Sequence, residues 1–412
     1  MEPENSKSAD RLCGNSREDC YKTRLHTFIS LILIVVLGFV VYANSLNGEF
    51  LWDDDNLVKE NVYIRDFSNV RALFTKNIRG GLQEKISMPY RPMQMLTYML
   101  DHSIWKLDVR GYHITNTILH ILAALSIYWL INILYDNRFL SLATAMLFVA
   151  HPIHTEAVSY ISGRADPLAA LFIILSLIFY IKHTNREDFK IYILSLLSYI
   201  LALLSRENAI ILPALILLYH YISKTKIRLK YFIPLLSITI AYIALRLTAL
   251  SYLLPHISSN STLFERIPGL FVAIVEYIRL LFIPTGLHME YGNKVFAMTY
   301  PKIWLGIVIT LILLAYCVKK KRSIEFFGIS WFFITLIPSA NIYPVNAYMA
   351  EHWLYIPSIG FFLIISAMIN RLYKSKNLKI AALLVIIFIT AIYSSLTISQ
   401  NRYWQKPLRF YE

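Results

Sequence analysis

Three adjacent carboxylates, Asp53, Asp54 and Asp55, follow the first long apolar run of the sequence, within Gly48-Glu49-Phe50-Leu51-Trp52-Asp53-Asp54-Asp55-Asn56. Like charges in a row repel, and near a bilayer they also lose solvation, so they persist where water, cations or a reacting proton compensates them. Helix capping is the plain alternative, because Asp satisfies free backbone N–H groups at a helix start.

Further polar groups recur downstream at short, dense spacings. Pro89-Tyr90-Arg91-Pro92 opens an amphipathic stretch over 93–100, which gives the loop carrying the carboxylates a basic end. His113, Asn116 and His120 stand at i, i+3 and i+7, one stripe of a helix. Such stripes face a bundle or a cavity, so helix-to-helix hydrogen bonding and substrate contact both account for this one. The stretch from His151-Pro152-Ile153-His154-Thr155-Glu156 to Gly163-Arg164-Ala165-Asp166 is unusually rich in ionisable groups for a turn between apolar runs. It either frames a substrate site or pairs Glu156 with Arg164. His151 and His154 have a spacing compatible with a metal, but on an irregular turn no third ligand is evident, so no metal is predicted. Arg206-Glu207 and Glu351-His352 complete the set, and each could equally open a helix, where Glu favours the dipole.

The elements that must position these groups are helices in a bilayer. Of 412 residues 57% are hydrophobic and only 16% charged, which excludes a single soluble domain and fits a polytopic membrane protein. Runs at about 28–46, 113–134, 139–152, 167–183, 189–204, 208–222, 231–250, 303–318, 326–338, 354–373 and 379–397 predict roughly eleven transmembrane helices. The basic clusters Lys182/Arg186/Lys190, Lys224/Lys226/Arg228/Lys230, Lys319/Lys320/Lys321/Arg322 and Arg371/Lys374/Lys376/Lys379 then fall on one side, read as cytoplasmic. The N-terminus shares that side, the first span is uncleaved, and the C-terminus is outside.

A cytoplasmic tail over 1–27, a transmembrane region over 28–397 and an outward segment over 398–412 follow. The outward segments are the loop 47–112, the turn 152–166, the Arg206-Glu207 turn, the loop 251–302 and the loop 339–353, and they hold nearly every unusual polar residue. Within the fourth, 267–284 is apolar but carries Glu276 and Arg279 at i, i+3, which predicts an interfacial or re-entrant helix.

The net charge of +14 belongs to cytoplasmic loops and lipid headgroups, and no nucleic-acid module is visible. Cys13, Cys20 and Cys317 lie in no outward segment, so no disulfide framework is expected. Asn260-Ser261-Thr262 is an N-glycosylation pattern of use only in a eukaryotic host.

Taken in order, Trp52-Asp53-Asp54, Tyr90-Arg91-Pro92, His113-x-x-Asn116-x-x-x-His120, His151-Pro152-x-His154-Thr155-Glu156-Ala157, Gly163-Arg164-Ala165-Asp166 and Glu351-His352-Trp353-Leu354-Tyr355-Ile356-Pro357-Ser358 resemble the membrane region of a known family. It is the transmembrane and tetratricopeptide-repeat-containing family of O-mannosyltransferases, in the GT-C superfamily. The resemblance runs from about residue 44 to the end. It implies an all-α GT-C-type bundle, in a bacterial inner membrane or the endoplasmic-reticulum membrane. The implied reaction is inverting transfer of a sugar from a polyprenyl- or dolichyl-phosphate donor to a Ser or Thr hydroxyl of a protein on the outer or lumenal face.

The resemblance also assigns roles. Asp53 is the expected base, with Asp54 orienting or contacting the acceptor. Arg91, Arg164 or Arg206 stabilises the leaving phosphate, with His151, His154 and His352 as secondary candidates. His113, Asn116, Glu156, Asp166, Glu207 and Glu351 complete the candidate donor and substrate contacts. The lipid-linked sugar is a co-substrate, and a need for a divalent metal is left open but not indicated.

Two features depart from the family pattern. A helical repeat array usually follows the last span, whereas this sequence stops at Glu412, so either it is a fragment or the acceptor is gripped differently. The family's Lys-Glu reads Arg206-Glu207 here, which keeps the charge and changes the geometry. A secondary transporter or lipid flippase and a non-catalytic membrane scaffold are the rival readings. Transporters place polar residues near the midplane on paired repeats, whereas here they cluster at one face.

Overall fold

The computed structural model describes residues 17–75, 90–248, 250, 262–342, 344 and 347–405. The expectations placed on Cys13, on Pro89, on Asn260-Ser261 and on residues 1–16 and 406–412 lie outside them. The described residues form α1 (Arg17–Tyr42), α2 (Val70–Thr75), α3 (Pro92–Trp105), α4 (Val109–Tyr135), α5 (Arg138–Ala150), α6 (Thr155–Val158), α7 (Ala165–Arg186), α8 (Phe189–Ser205), α9 (Leu212–Ser223) and α10 (Leu229–Leu247). Then come α11 (Leu263–Phe282), α12 (Pro301–Lys319), α13 (Ile324–Leu336), α14 (Ser358–Lys374) and α15 (Lys379–Asn401).

Each predicted span coincides with one of these helices. By length and composition, six of them, α1, α4, α7, α10, α12 and α15, can cross a membrane, and shorter apolar helices lie between them. Large apolar side chains point outward from these helices, among them Phe39, Ile240, Leu311 and Phe388. Such a surface is stable only against lipid, and the chain is an integral membrane protein.

Short, chemically specified connections hold the helices antiparallel. Asp136 and Glu187 end α4 and α7 in the left-handed region, at φ 45° and 55°, and Asn137 and Asp188 then cap α5 and α8 through their side chains. Small residues let the helices approach. Ser176 of α7 and Ser195 of α8 each donate to the other's carbonyl at 2.8 Å. A Cβ on Gly360 of α14 would lie 2.2 Å from the Gly328 carbonyl of α13.

The segment expected at the interface is α11, which buries Val272, Ala273, Tyr277 and Leu281 and turns Glu276 toward Arg279 and Lys302. Two boundaries differ from expectation. The span read from 354 begins as a 3₁₀ turn, Glu351–Leu354, and its α-helix starts only at Ser358, because Pro357 lacks the N–H that a longer helix needs. The last helix runs past 397 to Asn401, where the Asn401 side chain donates to the Val41 carbonyl at 2.9 Å and accepts from Ser159 at 2.7 Å. Residues 398–405 are thus packed into the bundle, with Trp404 buried against Tyr160 and Leu51.

Candidate active site

The polar residues are organised by one irregular segment, 151–166, in which a 3₁₀ turn (Pro152–His154), α6 and a second 3₁₀ turn (Ile161–Arg164) succeed one another. Each change of helical pitch re-aims the side chains, so one short stretch reaches several different elements. Gly163 lets two parts of this segment pack backbone to backbone, since a Cβ there would sit 2.3 Å from the Glu156 carbonyl oxygen.

The acidic loop docks on this hub through Asp54. Its carboxylate is buried; Oδ2 accepts from the Leu51 N–H at 3.0 Å, and Oδ1 accepts from the Ser162 N–H at 2.8 Å and from the Ser162 hydroxyl. Burial pushes the Asp54 carboxyl up to about 7, against the lowering effect of those hydrogen bonds. Asp54 precedes a π-helical turn, Asp55–Lys59, but its side chain accepts no capping hydrogen bond from that turn, so the capping alternative does not describe this carboxylate.

Asp53, beside it, is half-buried, and its N–H donates to the Tyr160 hydroxyl at 3.1 Å. Trp52, half-exposed, takes φ 48°, a left-handed conformation that costs a non-glycine residue about 1–3 kcal/mol. Asp55 pairs with Lys59 on the surface at 3.3 Å.

Arg164 extends the hub to α3 and α4. It is fully buried, pairs with Asp101 at 2.6 Å, donates to Asn116 Oδ1 at 2.6 Å and to the Tyr112 carbonyl at 3.0 Å, and lies over the Tyr98 ring. The pairing with Glu156 considered from the sequence does not form. Glu156 instead accepts from the His352 ring at 2.5 Å and from the His352 N–H at 2.8 Å. Asp166 pairs with Arg206, and Arg91 forms a two-point bridge to Glu207, with its closer contact at 2.7 Å. Asp166 also lies within electrostatic reach of His352, Arg91 and Glu156. Next to them Glu351 accepts from the His288 N–H at 2.6 Å and from the Tyr291 hydroxyl at 2.7 Å; burial, and then the charge of Glu156, raises its carboxyl strongly.

The structure therefore brings Arg91, Glu156, Asp166, Arg206, Glu207, Glu351 and His352 into one polar belt, and docks Asp53 and Asp54 on Tyr160 and Ser162 of the hub segment. It assigns the remaining candidates to the packing between helices. His113, Asn116 and His120 are buried, and Asn116 holds the Val158 and Tyr160 carbonyls at 3.1 and 3.2 Å. His113 lies under Gly48, where an added Cβ would come within 2.7 Å of its Nε2. His151 bonds the Leu281 carbonyl at 3.2 Å, and His154 bonds the Phe148 carbonyl at 2.8 Å. Burial holds His151 down at about 3 and His154 well below its usual value, so both are neutral and offer no charge to a phosphate.

Among the described residues no group of three His, Cys, Asp or Glu side chains is arranged to hold a metal ion. Asp101, Tyr160, Ser162, His288 and Tyr291 escape the sequence reading. Only Asp101 carries a signal, a lone acid directly after the amphipathic stretch that follows Arg91.

The helical bundle shares its fold with solved GT-C glycosyltransferases. ArnT from Cupriavidus metallidurans bound to undecaprenyl phosphate superposes with a TM-score of 0.51 at 12% identity, over 90% of this chain and 69% of that one. The apo oligosaccharyltransferase of Archaeoglobus fulgidus gives 0.53 at 14% identity, over 94% of this chain and 57% of that one.

Over its membrane region the chain is homologous to protein O-mannosyl-transferases, as the motif set implied. One from Caenorhabditis elegans is 26% identical over 95% of this chain and 58% of its own length. Human TMTC2 is 32% identical over 39% of this chain and 20% of its own length, and human TMTC1 is 38% identical over 36% and 17%. The chain thus spans little more than half of the nematode relative. No family model matches the sequence.

Proposed function

We propose that the chain transfers a mannose-like sugar from a polyprenyl- or dolichyl-phosphate donor to a Ser or Thr hydroxyl of a protein acceptor, on the outer or lumenal face, with inversion at the anomeric carbon. The observation that carries this reading is the division of labour in the acidic loop. Asp54 is buried and bound at both oxygens, while Asp53 is half-buried beside it, docked on the segment whose far end carries Asp166 with its arginine partner.

In the step, the Asp53 carboxylate takes the proton of the acceptor hydroxyl as its oxygen attacks the anomeric carbon. The bond from that carbon to the phosphate oxygen breaks, and the phosphate leaves with the electron pair as a dianion. A carboxylate of ordinary pKa, about 4, is a weak base at neutral pH, so exclusion of water by the bound lipid and acceptor has to strengthen it. Arginine donors offset the charge that develops on phosphate. Arg91 and Arg206 stand in the belt, whereas Arg164, buried and saturated by Asp101, Asn116 and Tyr112, acts through the hub.

Placement at a membrane face suits the donor, whose tail stays in the bilayer while its phosphate meets water. The basic clusters on the opposite side favour a cytoplasmic N-terminus and an outward belt. The transmembrane region 28–397, with its outer loops 47–112 and 251–302, is then the catalytic domain.

The test is transfer from polyprenyl-phosphate-mannose to a Ser/Thr peptide by purified chain in nanodiscs, with the product anomer determined. Loss of a general base is expected to lower the rate of Asp53→Asn by about 10²-fold or more. Full activity in that variant would remove the base, and a product that keeps the donor's anomeric configuration would remove inversion.

A further inference from the structure

The outer end of α10 carries donors that the belt does not use. Arg246, in the last turn of α10, makes no hydrogen bond or ion pair among the described residues, and its Nη1 is buried without a partner. One turn earlier, the Tyr242 hydroxyl is also buried without a partner, on a side chain only 8% exposed. Arg206, 6% exposed, spends Nη1 on Asp166 and leaves Nε buried and unbonded.

These three groups belong to one place. Leu250, just past α10, packs on Tyr90 and Leu204, the neighbours of Arg91 and of the Ser205-Arg206 turn. Tyr242 lies within electrostatic reach of Glu207, Arg246 and Arg91, and Arg206 within that of Arg91 and Glu207.

Charge accounts for what such a corner takes. Arg91 is neutralised by Glu207 and Arg206 by Asp166, so Arg246 is the surplus cation. A buried donor without an acceptor costs about 1–3 kcal/mol, and a cluster of such donors around a surplus cation is what an anion with several acceptor oxygens would satisfy. Its position at the end of a membrane-crossing helix puts that anion at the bilayer surface.

We propose that Arg246, Tyr242 and the Nε edge of Arg206 form the phosphate subsite of the lipid donor, a residue set distinct from the Arg91–Glu207 bridge. Arg246 and Tyr242 donate to phosphate oxygens, and Arg91 positions Glu207 and the turn that carries Arg206. This assignment rests on the proposed transfer reaction for its ligand and not for its geometry.

The experiment is equilibrium binding of undecaprenyl phosphate to the full chain in nanodiscs, beside undecaprenol and inorganic phosphate as probes. Arg246→Met is expected to weaken the lipid phosphate at least about tenfold, the loss of one charge-assisted contact, with undecaprenol unchanged. Tyr242→Phe should weaken it by a smaller factor, Arg246→Lys should restore part of the loss, and inorganic phosphate should bind far more weakly than the lipid. Unchanged lipid-phosphate affinity in both Arg246→Met and Tyr242→Phe, with the variants eluting as folded monodisperse protein, overturns the subsite. Inorganic phosphate binding as tightly as the lipid overturns the lipid assignment. Asp53→Asn should bind like wild type, so an inactive Asp53→Asn with Arg246-independent binding sinks this subsite alone, and the reverse pattern sinks the transfer reading alone.

Discussion

Replacing Asp54 by Asn keeps the shape of the docking side chain and removes a charge that the fold holds out of water. Burial raises the folded carboxyl from 3.8 to about 7, so the native chain keeps a proton that the unfolded chain has already lost. Stability on this account is greatest at low pH, falls by about 1.4 kcal/mol per unit as pH rises between the two values, and is level above the folded one. From about pH 5.5 to about pH 8 the wild type should therefore lose about 2 kcal/mol that the Asn variant does not.

The amide has its own cost. Its NH₂ must face either the Leu51 or the Ser162 N–H, which removes one acceptor and sets the variant back by about 1–2 kcal/mol at every pH. The two effects have different pH signatures. Unfolding of purified wild type and Asp54→Asn, followed by Trp fluorescence at several pH values, should give stabilities that separate by about a further 2 kcal/mol in favour of the variant as pH rises from about 5.5 to about 8. Parallel curves would show that Asp54 is not a buried, titrating carboxylate, and the docking geometry would then be wrong.

Two further outcomes probe the hub. Arg164→Met leaves Asp101 charged and buried without its partner and is expected to cost about 3–5 kcal/mol in the same unfolding measurement, with much of it recovered in Arg164→Met/Asp101→Leu. A phosphate ligand would instead show as lost donor affinity with stability intact. Gly163→Ala forces a Cβ against the Glu156 carbonyl and is expected to cost about 1–3 kcal/mol or more and to abolish transfer, whereas Ala at exposed Glu60 should change neither; equal behaviour of the two variants would contradict the packing at Gly163.

The helices were legible because lipid imposes a long apolar run on each of them, and every predicted span coincides with a helix. What the hydropathy pattern did not carry is the number of full crossings, since α5, α8, α9 and α13 are short and are kept apolar by neighbouring helices as much as by lipid. The end at 397 was misplaced because Ser399, Gln400 and Asn401 are polar, and their partners, such as the Leu287 carbonyl for Gln400, come from distant segments.

The site was legible as a set of residues and not as a set of pairs. Glu156 and Arg164 look like partners along the chain, yet the pitch changes within 151–166 send one to His352 and the other to Asp101. Ser162 and Tyr160 gave no signal, because a Ser or Tyr in a turn is commonplace until Asp54 and the Asp53 N–H are seen to dock on them. Arg246 carries no signal in the sequence because it lies inside the apolar run 231–250 with no other charged residue near it to form a motif.

The account stands or falls on Asp53 as the group that accepts the acceptor's proton. The direct measurement is the initial rate of sugar transfer by wild type and Asp53→Asn at saturating donor, with donor affinity determined on the same preparations. A rate lower by about 10²-fold or more with unchanged donor affinity is the predicted result. A rate within about threefold of wild type would contradict it, because removing a general base cannot cost so little.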